Sequence, residues 1–241
     1  MTVGGLRLGR TPRTAGVIVE GRIAEAARRA VAAGADLLEL RGDTFRDADE
    51  GRLTDAIERL RAFGRPVILT IRSRKEGGKY AIPERKREAL FTSLMPLADA
   101  VDIELGSSTI LENVVNSAKR HKKKVIVSYH NFKTTPGDRR LQEIAANARA
   151  SGGDIVKIAA FARGPEDLKR LAGILTGSTD MIVIAMGGHG AASRVFFPFL
   201  GSLLTYGAVS ASTAPGQMPL KDLCKEIRRY QVPRGPGGQK G

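Results

Sequence analysis

The chain has 241 residues, 42% of them hydrophobic, with a formal net charge of +14, which fits one large domain or two small ones with a sizeable core. No run approaches the roughly 18 apolar residues that span a bilayer, and Met1 to Gly5 lacks the charged and apolar regions of a signal peptide. A single cysteine, Cys224, excludes an internal disulfide and a multi-cysteine metal site, so a cytoplasmic protein without a membrane partner is expected.

From the N-terminus, Val3 to Arg13 reads as a small hairpin or arm across the bottom of whatever follows. Thr14 to Glu20 is then a short apolar strand, and Arg22 to Ala33 has helical periodicity ended by Gly34. The alternation repeats. Strands are expected at Asp36 to Arg41, Pro66 to Arg72, Ala100 to Leu105, Val125 to His130, Gly153 to Ala160, Met181 to Met186 and Leu203 to Tyr206. Helices are expected at Glu50 to Phe63, Pro83 to Leu97, Ser108 to His121, Arg139 to Ala150, Pro165 to Leu175, Ala191 to Phe199 and Leu220 to Tyr230, where Cys224 reads as a small core residue. Eight β and eight α units, with near-continuous Val/Ile/Leu strands buried on both faces, predict an α/β protein of the (β/α)8 TIM-barrel class filling residues 1–230. The remainder, 231–241, is a Pro/Gly-rich tail expected to be disordered.

The positive charge raises the question of nucleic acid. Only Lys119-Arg120-His121-Lys122-Lys123-Lys124 forms a block, and the chain has no Trp for bases to stack on. A solvated basic surface that attracts small anions is the simpler reading, with no nucleic-acid partner.

In such a barrel, chemistry belongs at the C-terminal ends of the strands, where side chains two apart point the same way. Polar pairs gather there: Glu39 and Arg41, Thr70 and Arg72, Asp102 and Glu104, Ser128 and His130, followed by Lys157 and Met186. Exposed strand ends are often polar, but five successive strands favour a site. Lys157, flanked by Val156 and Ile158, would be opposed by desolvation in its charged form, which favours a free amine able to attack a carbonyl. The bland alternative is a lysine reaching to the barrel mouth as an ion-pair partner. On the neighbouring strand, His130 is the best general acid/base candidate. His121 reads as solvated and His189 as a loop residue, and no metal-ligand spacing appears. Arg41, Arg72 and Arg194 could clamp a carboxylate or phosphate, with Glu39 orienting one of them. The loops 73–79 and 212–217 read as covers.

Glu39-Leu40-Arg41, Thr70-Ile71-Arg72, Glu76-Gly77-Gly78, Asp102-Ile103-Glu104-Leu105, Ser128-Tyr129-His130-Asn131-Phe132, Asp154-Ile155-Val156-Lys157-Ile158-Ala159, Ser193-Arg194 and Ala214-Pro215-Gly216-Gln217 together resemble the type I 3-dehydroquinate dehydratases. The resemblance covers roughly residues 14–230. It implies a homodimeric (β/α)8 barrel that converts 3-dehydroquinate to 3-dehydroshikimate in the shikimate pathway without metal or organic cofactor. It further implies that Lys157 forms a Schiff base with the substrate ketone, that His130 transfers protons and that Glu76 tunes it. Arg194 and Gln217 would hold the substrate carboxylate, Glu39, Arg41 and Arg72 would bind hydroxyls and order the pocket, and Phe132 and Met186 would line it. Thr213 stands where the family usually has Ser, and Tyr206 where Phe is common. Two other readings stay open: a class I aldolase-like barrel, whose phosphate would sit at the Gly187-Gly188 turn, and a basic nucleic-acid binder without chemistry.

Overall fold

The computed structural model describes residues 1–231. The tail expected at 231–241 lies outside the described residues beyond Gln231. At the N-terminus β1 (Thr2–Val3) and β2 (Leu6–Arg7) form an antiparallel hairpin turned by Gly4 and Gly5, both at positive φ, which glycine adopts without steric cost. Val3 and Leu8 are buried in the inner core, so the hairpin plugs the end of the barrel where the strands begin.

Eight parallel strands follow: β3 (Thr14–Ile18), β4 (Leu37–Arg41), β5 (Val67–Thr70), β6 (Ala100–Glu104), β7 (Lys124–Asn131), β8 (Ile155–Phe161), β9 (Met181–Met186) and β10 (Thr205–Ala208). Their order in the sheet is β10-β3-β4-β5-β6-β7-β8-β9. The seam between β9 and β10 is bridged where Leu203 N–H donates to Met181 O at 2.8 Å and Val183 N–H to Ser202 Oγ at 3.0 Å. A nearly closed barrel results, as the β/α alternation predicts.

The helices α1 (Ile23–Ala33), α2 (Glu50–Arg61), α3 (Glu84–Leu94), α4 (Leu111–Arg120), α5 (Asp138–Ala150), α6 (Pro165–Leu175), α7 (Ser193–Phe196) and α8 (Leu220–Tyr230) follow the strands in turn. Asp49 caps α2 by accepting from Arg52 N–H at 2.9 Å, and Gly34 closes α1 in the left-handed conformation. None of the described helices is long and apolar enough to cross a membrane. Cys224 is buried on α8, as expected.

Strand alternation separates two cores. Leu38, Leu40, Leu69, Val101, Val127, Val156 and Ile158 face the helices. Leu37, Ile68, Ala100, Ile126, Ile155 and Ile182 fill the barrel interior. Each fully buried Leu or Ile contributes about 1.5–3 kcal/mol relative to exposure. The two apolar layers therefore carry the fold, and on β4 to β7 the next inward positions hold polar residues, while on β3, β8 and β9 Val17, Ala159, Ile184 and Met186 are apolar inward residues.

Several boundaries differ from the sequence expectation. β5 ends at Thr70, so Arg72 lies beyond the strand. β8 runs from Ile155 to Phe161 and not from Gly153 to Ala160, with Lys157 inside it as expected, and Ala162 N–H extends the ladder to Met186 O at 3.0 Å. The helix expected at Ala191 to Phe199 is one turn, Ser193–Phe196, continued by a 3-10 turn at Phe197–Leu200, where Pro198 has no N–H to give an α-helical ladder.

Candidate active site

Lys157 enters the barrel interior from the middle of β8, because Val156 and Ile158 alternate to the helix-facing side. The apolar flanks that suggest a desolvated amine thus do not touch its head group. Its Nζ lies 2.7 Å from Asp102 Oδ2, 3.8 Å from Glu39 Oε1 and 4.1 Å from the centroid of the Tyr206 ring. Lys157 is a buried member of an ion-paired network, which corrects the expectation of an amine among apolar walls.

Asp102 is fully buried, and its other oxygen accepts from Ser128 Oγ at 2.7 Å and Arg72 Nη2 at 3.0 Å. Burial would raise the Asp102 carboxyl, but Arg72 and Lys157 outweigh it and hold it well below the usual carboxylate range. Arg72 also meets Glu104 at 3.2 Å, and Glu104 is held from behind by Arg87 of α3 and by Ser107 Oγ at 2.8 Å. The same Glu104 accepts from Ser73 N–H at 2.8 Å, which anchors the loop after β5.

That loop carries Glu76 to His130. Glu76 Oε2 accepts from the His130 backbone N–H at 2.9 Å and lies 3.0 Å from its Nδ1. Burial, assisted by the charge of Glu104 and opposed by Arg72, pushes the Glu76 carboxyl up to about 7. Burial, with the nearby Arg72 and Lys157 cations, pushes the His130 imidazole well below its ordinary value. The Phe132 ring stacks near the imidazole, with centroids 6.3 Å apart and planes 18° apart. Gly77 and Gly78 permit this approach. A Cβ on Gly77, at φ +87°, would sit 2.5 Å from Phe132 Cζ, and one on Gly78 would sit 2.2 Å from Arg72 O.

The three arginines differ. Arg41 is bound through two hydrogen bonds of 2.8 Å by Asp43, a residue the sequence analysis does not single out. Arg72 is committed to Asp102 and Glu104. Arg194, at the start of α7, is buried with only backbone carbonyls for partners, Gly216 O at 2.8 Å and Pro215 O at 3.2 Å, and no carboxylate of the described residues pairs with it. Desolvation brings its guanidinium down to about 10. Glu39 orients none of the arginines, contrary to expectation; it accepts from Thr70 Oγ1 at 2.9 Å. Nearby, Gln217 Oε1 accepts from Thr213 N–H at 2.7 Å and Thr213 Oγ1 at 3.2 Å, so the loop after β10 is tied to itself beside Arg194.

One cavity at the C-terminal ends of the strands is lined by Glu39, Arg41, Arg72, Glu76, His130, Phe132, Lys157, Met186, Arg194, Thr213 and Gln217, whereas Thr70, Asp102, Glu104 and Ser128 of the strand-end pairs do not line it. His189 is exposed and outside it, and His121 bonds Ser117 O at 2.9 Å far from the mouth. The same cavity takes in Ala159, Ile184 and Tyr206, to which the sequence assigns no role. Alternation could have found the first two, since each lies two residues from a named neighbour on its strand. Among the described residues, no cluster of three or more His, Cys, Asp or Glu could hold a metal ion.

The arrangement suits carbonyl chemistry on an anionic substrate: an amine, an imidazole backed by a carboxylate, and a buried cation with no internal anion. Comparison with known proteins agrees. The family described as type I 3-dehydroquinase matches residues 19–231. The 3-dehydroquinate dehydratase of Aquifex aeolicus is 39% identical over 84% of this chain and 91% of its own. That of Methanosarcina barkeri is 38% identical over 92% and 96%. Among solved structures, the type I enzyme of Clostridium difficile with covalent modified comenic acid superimposes with a TM-score of 0.86 at 27% identity, covering 95% of this chain and 96% of that one.

Proposed function

Since the chain belongs to the type I 3-dehydroquinase family and is a dehydratase of the shikimate pathway, we propose that it removes water from 3-dehydroquinate through a Schiff base on Lys157. The observation that carries this reading is the position of the Lys157 amine inside one cavity with His130, from the neighbouring strand, and Arg194, a buried cation whose partners among the described residues are backbone carbonyls and not a carboxylate. The covalently modified ligand in the Clostridium difficile relative is in keeping with a nucleophile in such a pocket.

Binding begins at Arg194, whose fork has no carboxylate of its own and takes the substrate carboxylate with Gln217 and Thr213 beside it. Glu39, Arg41 and Arg72, each already fixed by neighbours, meet the hydroxyls, while Phe132 and Met186 wall the ring. The ketone carbon then faces Lys157. Attack by the amine and loss of the carbonyl oxygen as water leave an iminium, which draws electrons from the adjacent carbon.

His130 serves as the base there. With Nδ1–H donated to Glu76 Oε2, the neutral imidazole presents a bare Nε2. Its depressed basicity keeps it unprotonated near neutral pH, ready to take the proton beside the iminium. The protonated imidazole then hands its proton to the departing β-hydroxyl, and hydrolysis of the imine releases the enone. No residue of this scheme calls for a metal. The same reading makes the enzyme a cytoplasmic homodimer, to be tested by light scattering and cell fractionation.

Lys157→Ala tests the proposal directly. Borohydride with 3-dehydroquinate should give a covalent adduct on the wild-type chain and none on the variant, with turnover lost as well. A fully active variant would sink the imine mechanism.

A further inference from the structure

The Schiff-base reading leaves unexplained why a fully buried carboxylate lies against the nucleophile. Asp102 Oδ2 is 2.7 Å from Lys157 Nζ, and Asp102 Oδ1 is locked by Ser128 Oγ and Arg72 Nη2. Lys157 lines the cavity and Asp102 does not, so the carboxylate stands behind the nitrogen and out of the path of an incoming ketone. The Tyr206 ring, 4.1 Å from Nζ, and Glu39, 3.8 Å away, surround the same atom with negative potential. Three groups thus make a cage for a cation at the nitrogen.

We propose that Asp102 is a catalytic residue, the fixed counterion that stays with the Lys157 nitrogen while it is an ammonium and again while it is an iminium. The proposal rests on the Schiff-base reading. In the net step, Lys–NH3⁺ and the ketone give Lys–NH⁺=C and water: the C–N bond forms, the carbonyl C–O bond breaks, and two nitrogen protons leave with that oxygen. Nitrogen therefore carries one positive charge before and after, and loses it only in transit as the free amine. Removal of the proton beside the iminium neutralises nitrogen to an enamine, and expulsion of the β-hydroxyl as water restores the cation. A carboxylate held in place through the whole cycle needs no reorganisation as charge returns to nitrogen. Its second consequence is that the imine stays protonated, and hence electron-withdrawing, at pH values where an unpaired imine would be neutral.

The test traps the iminium. Cyanoborohydride and 3-dehydroquinate are added to the purified full chain at a series of pH values, and the adduct on the Lys157 peptide is quantified by mass spectrometry. The wild-type chain should give adduct across the range from about pH 6 to about pH 9. In Asp102→Asn the adduct should fall away at least about one pH unit lower, with kcat reduced at least about tenfold and KM changed less. Coincident trapping profiles for variant and wild type would overturn the counterion role. A wild-type chain that gives no adduct at any pH would instead remove the Schiff base itself. Should Asp102→Asn not fold, the 15N shift of the imine in wild-type chain labelled at lysine decides: a cationic shift up to about pH 9 supports the counterion, and a neutral imine at about pH 8 overturns it.

Discussion

A guanidinium with no carboxylate beside it is expensive to bury, and Arg194 is one of these, kept in place by two backbone carbonyls of the loop after β10. Charge-assisted hydrogen bonds contribute about 1.5–3 kcal/mol each, so Arg194→Ala should raise KM roughly 10- to 100-fold with a smaller effect on kcat. Steady-state kinetics with an unchanged KM would refute the carboxylate role. Glu76 makes a prediction about stability. Its carboxyl titrates near 4.5 when unfolded and about 7 when folded, so between those values the unfolded chain releases a proton that the folded chain keeps. Stability from this group therefore falls as pH rises through that window and is level above it. Glu76→Gln removes the titration while keeping an acceptor for the His130 N–H. Relative to wild type it should gain on the order of 2 kcal/mol between about pH 5 and about pH 8 in urea denaturation, and an equal difference at both pH values would contradict it.

At the scale of elements, the loop after β5 is what turns a set of strand ends into a site. It is tied down at Ser73 by Glu104 and at Lys79 by Asp43, whose Oδ2 accepts the Lys79 N–H at 3.1 Å. Gly77 and Gly78 then let it pass beneath Phe132 and over the Arg72 carbonyl. The two glycines are not equivalent. The obstruction at Gly77 is the end of a half-exposed ring, which can swing away; that at Gly78 is backbone, which cannot. Gly77→Ala should cost roughly 1–2 kcal/mol through its left-handed φ, and Gly78→Ala should cost more. Chemical denaturation of the two variants reads the order, and the reverse order would count against this account of the loop.

For the molecule as a whole, the net charge of +14 is of the sign that attracts the anion proposed as substrate. Long-range attraction of this kind is screened over about 10 Å at 0.1 M salt. Raising ionic strength from about 0.01 M to about 0.5 M should lower kcat/KM severalfold while kcat changes little. A flat salt profile would detach the charge from substrate capture.

How far the fold could be read from sequence follows from what repeats. The near-continuous apolar runs and the helices between them made the barrel legible, and Pro165–Leu175, Met181–Met186 and Leu220–Tyr230 fall where those patterns put them. Strand ends also made Lys157 and His130 legible as a pair, since position along a parallel strand decides who reaches the mouth, whereas Arg194, on α7, was named only as a possible anion clamp. The partners of those groups were not legible. Asp102 and Glu104 read as two more polar strand residues, Arg87 falls in an expected helix, and Asp43 has no reading of its own. Sequence alone determined which side chains enter the barrel, because alternation is a local property of the strand. Only the tertiary structure decided which charges are paired: that Lys157 has Asp102, that Arg41 and Arg72 are already neutralised, and that Arg194 is left for a ligand. Ion pairing depends on distances of a few ångströms between residues 2 to 55 apart in the chain, which are set by barrel register and loop course rather than by any neighbour in sequence.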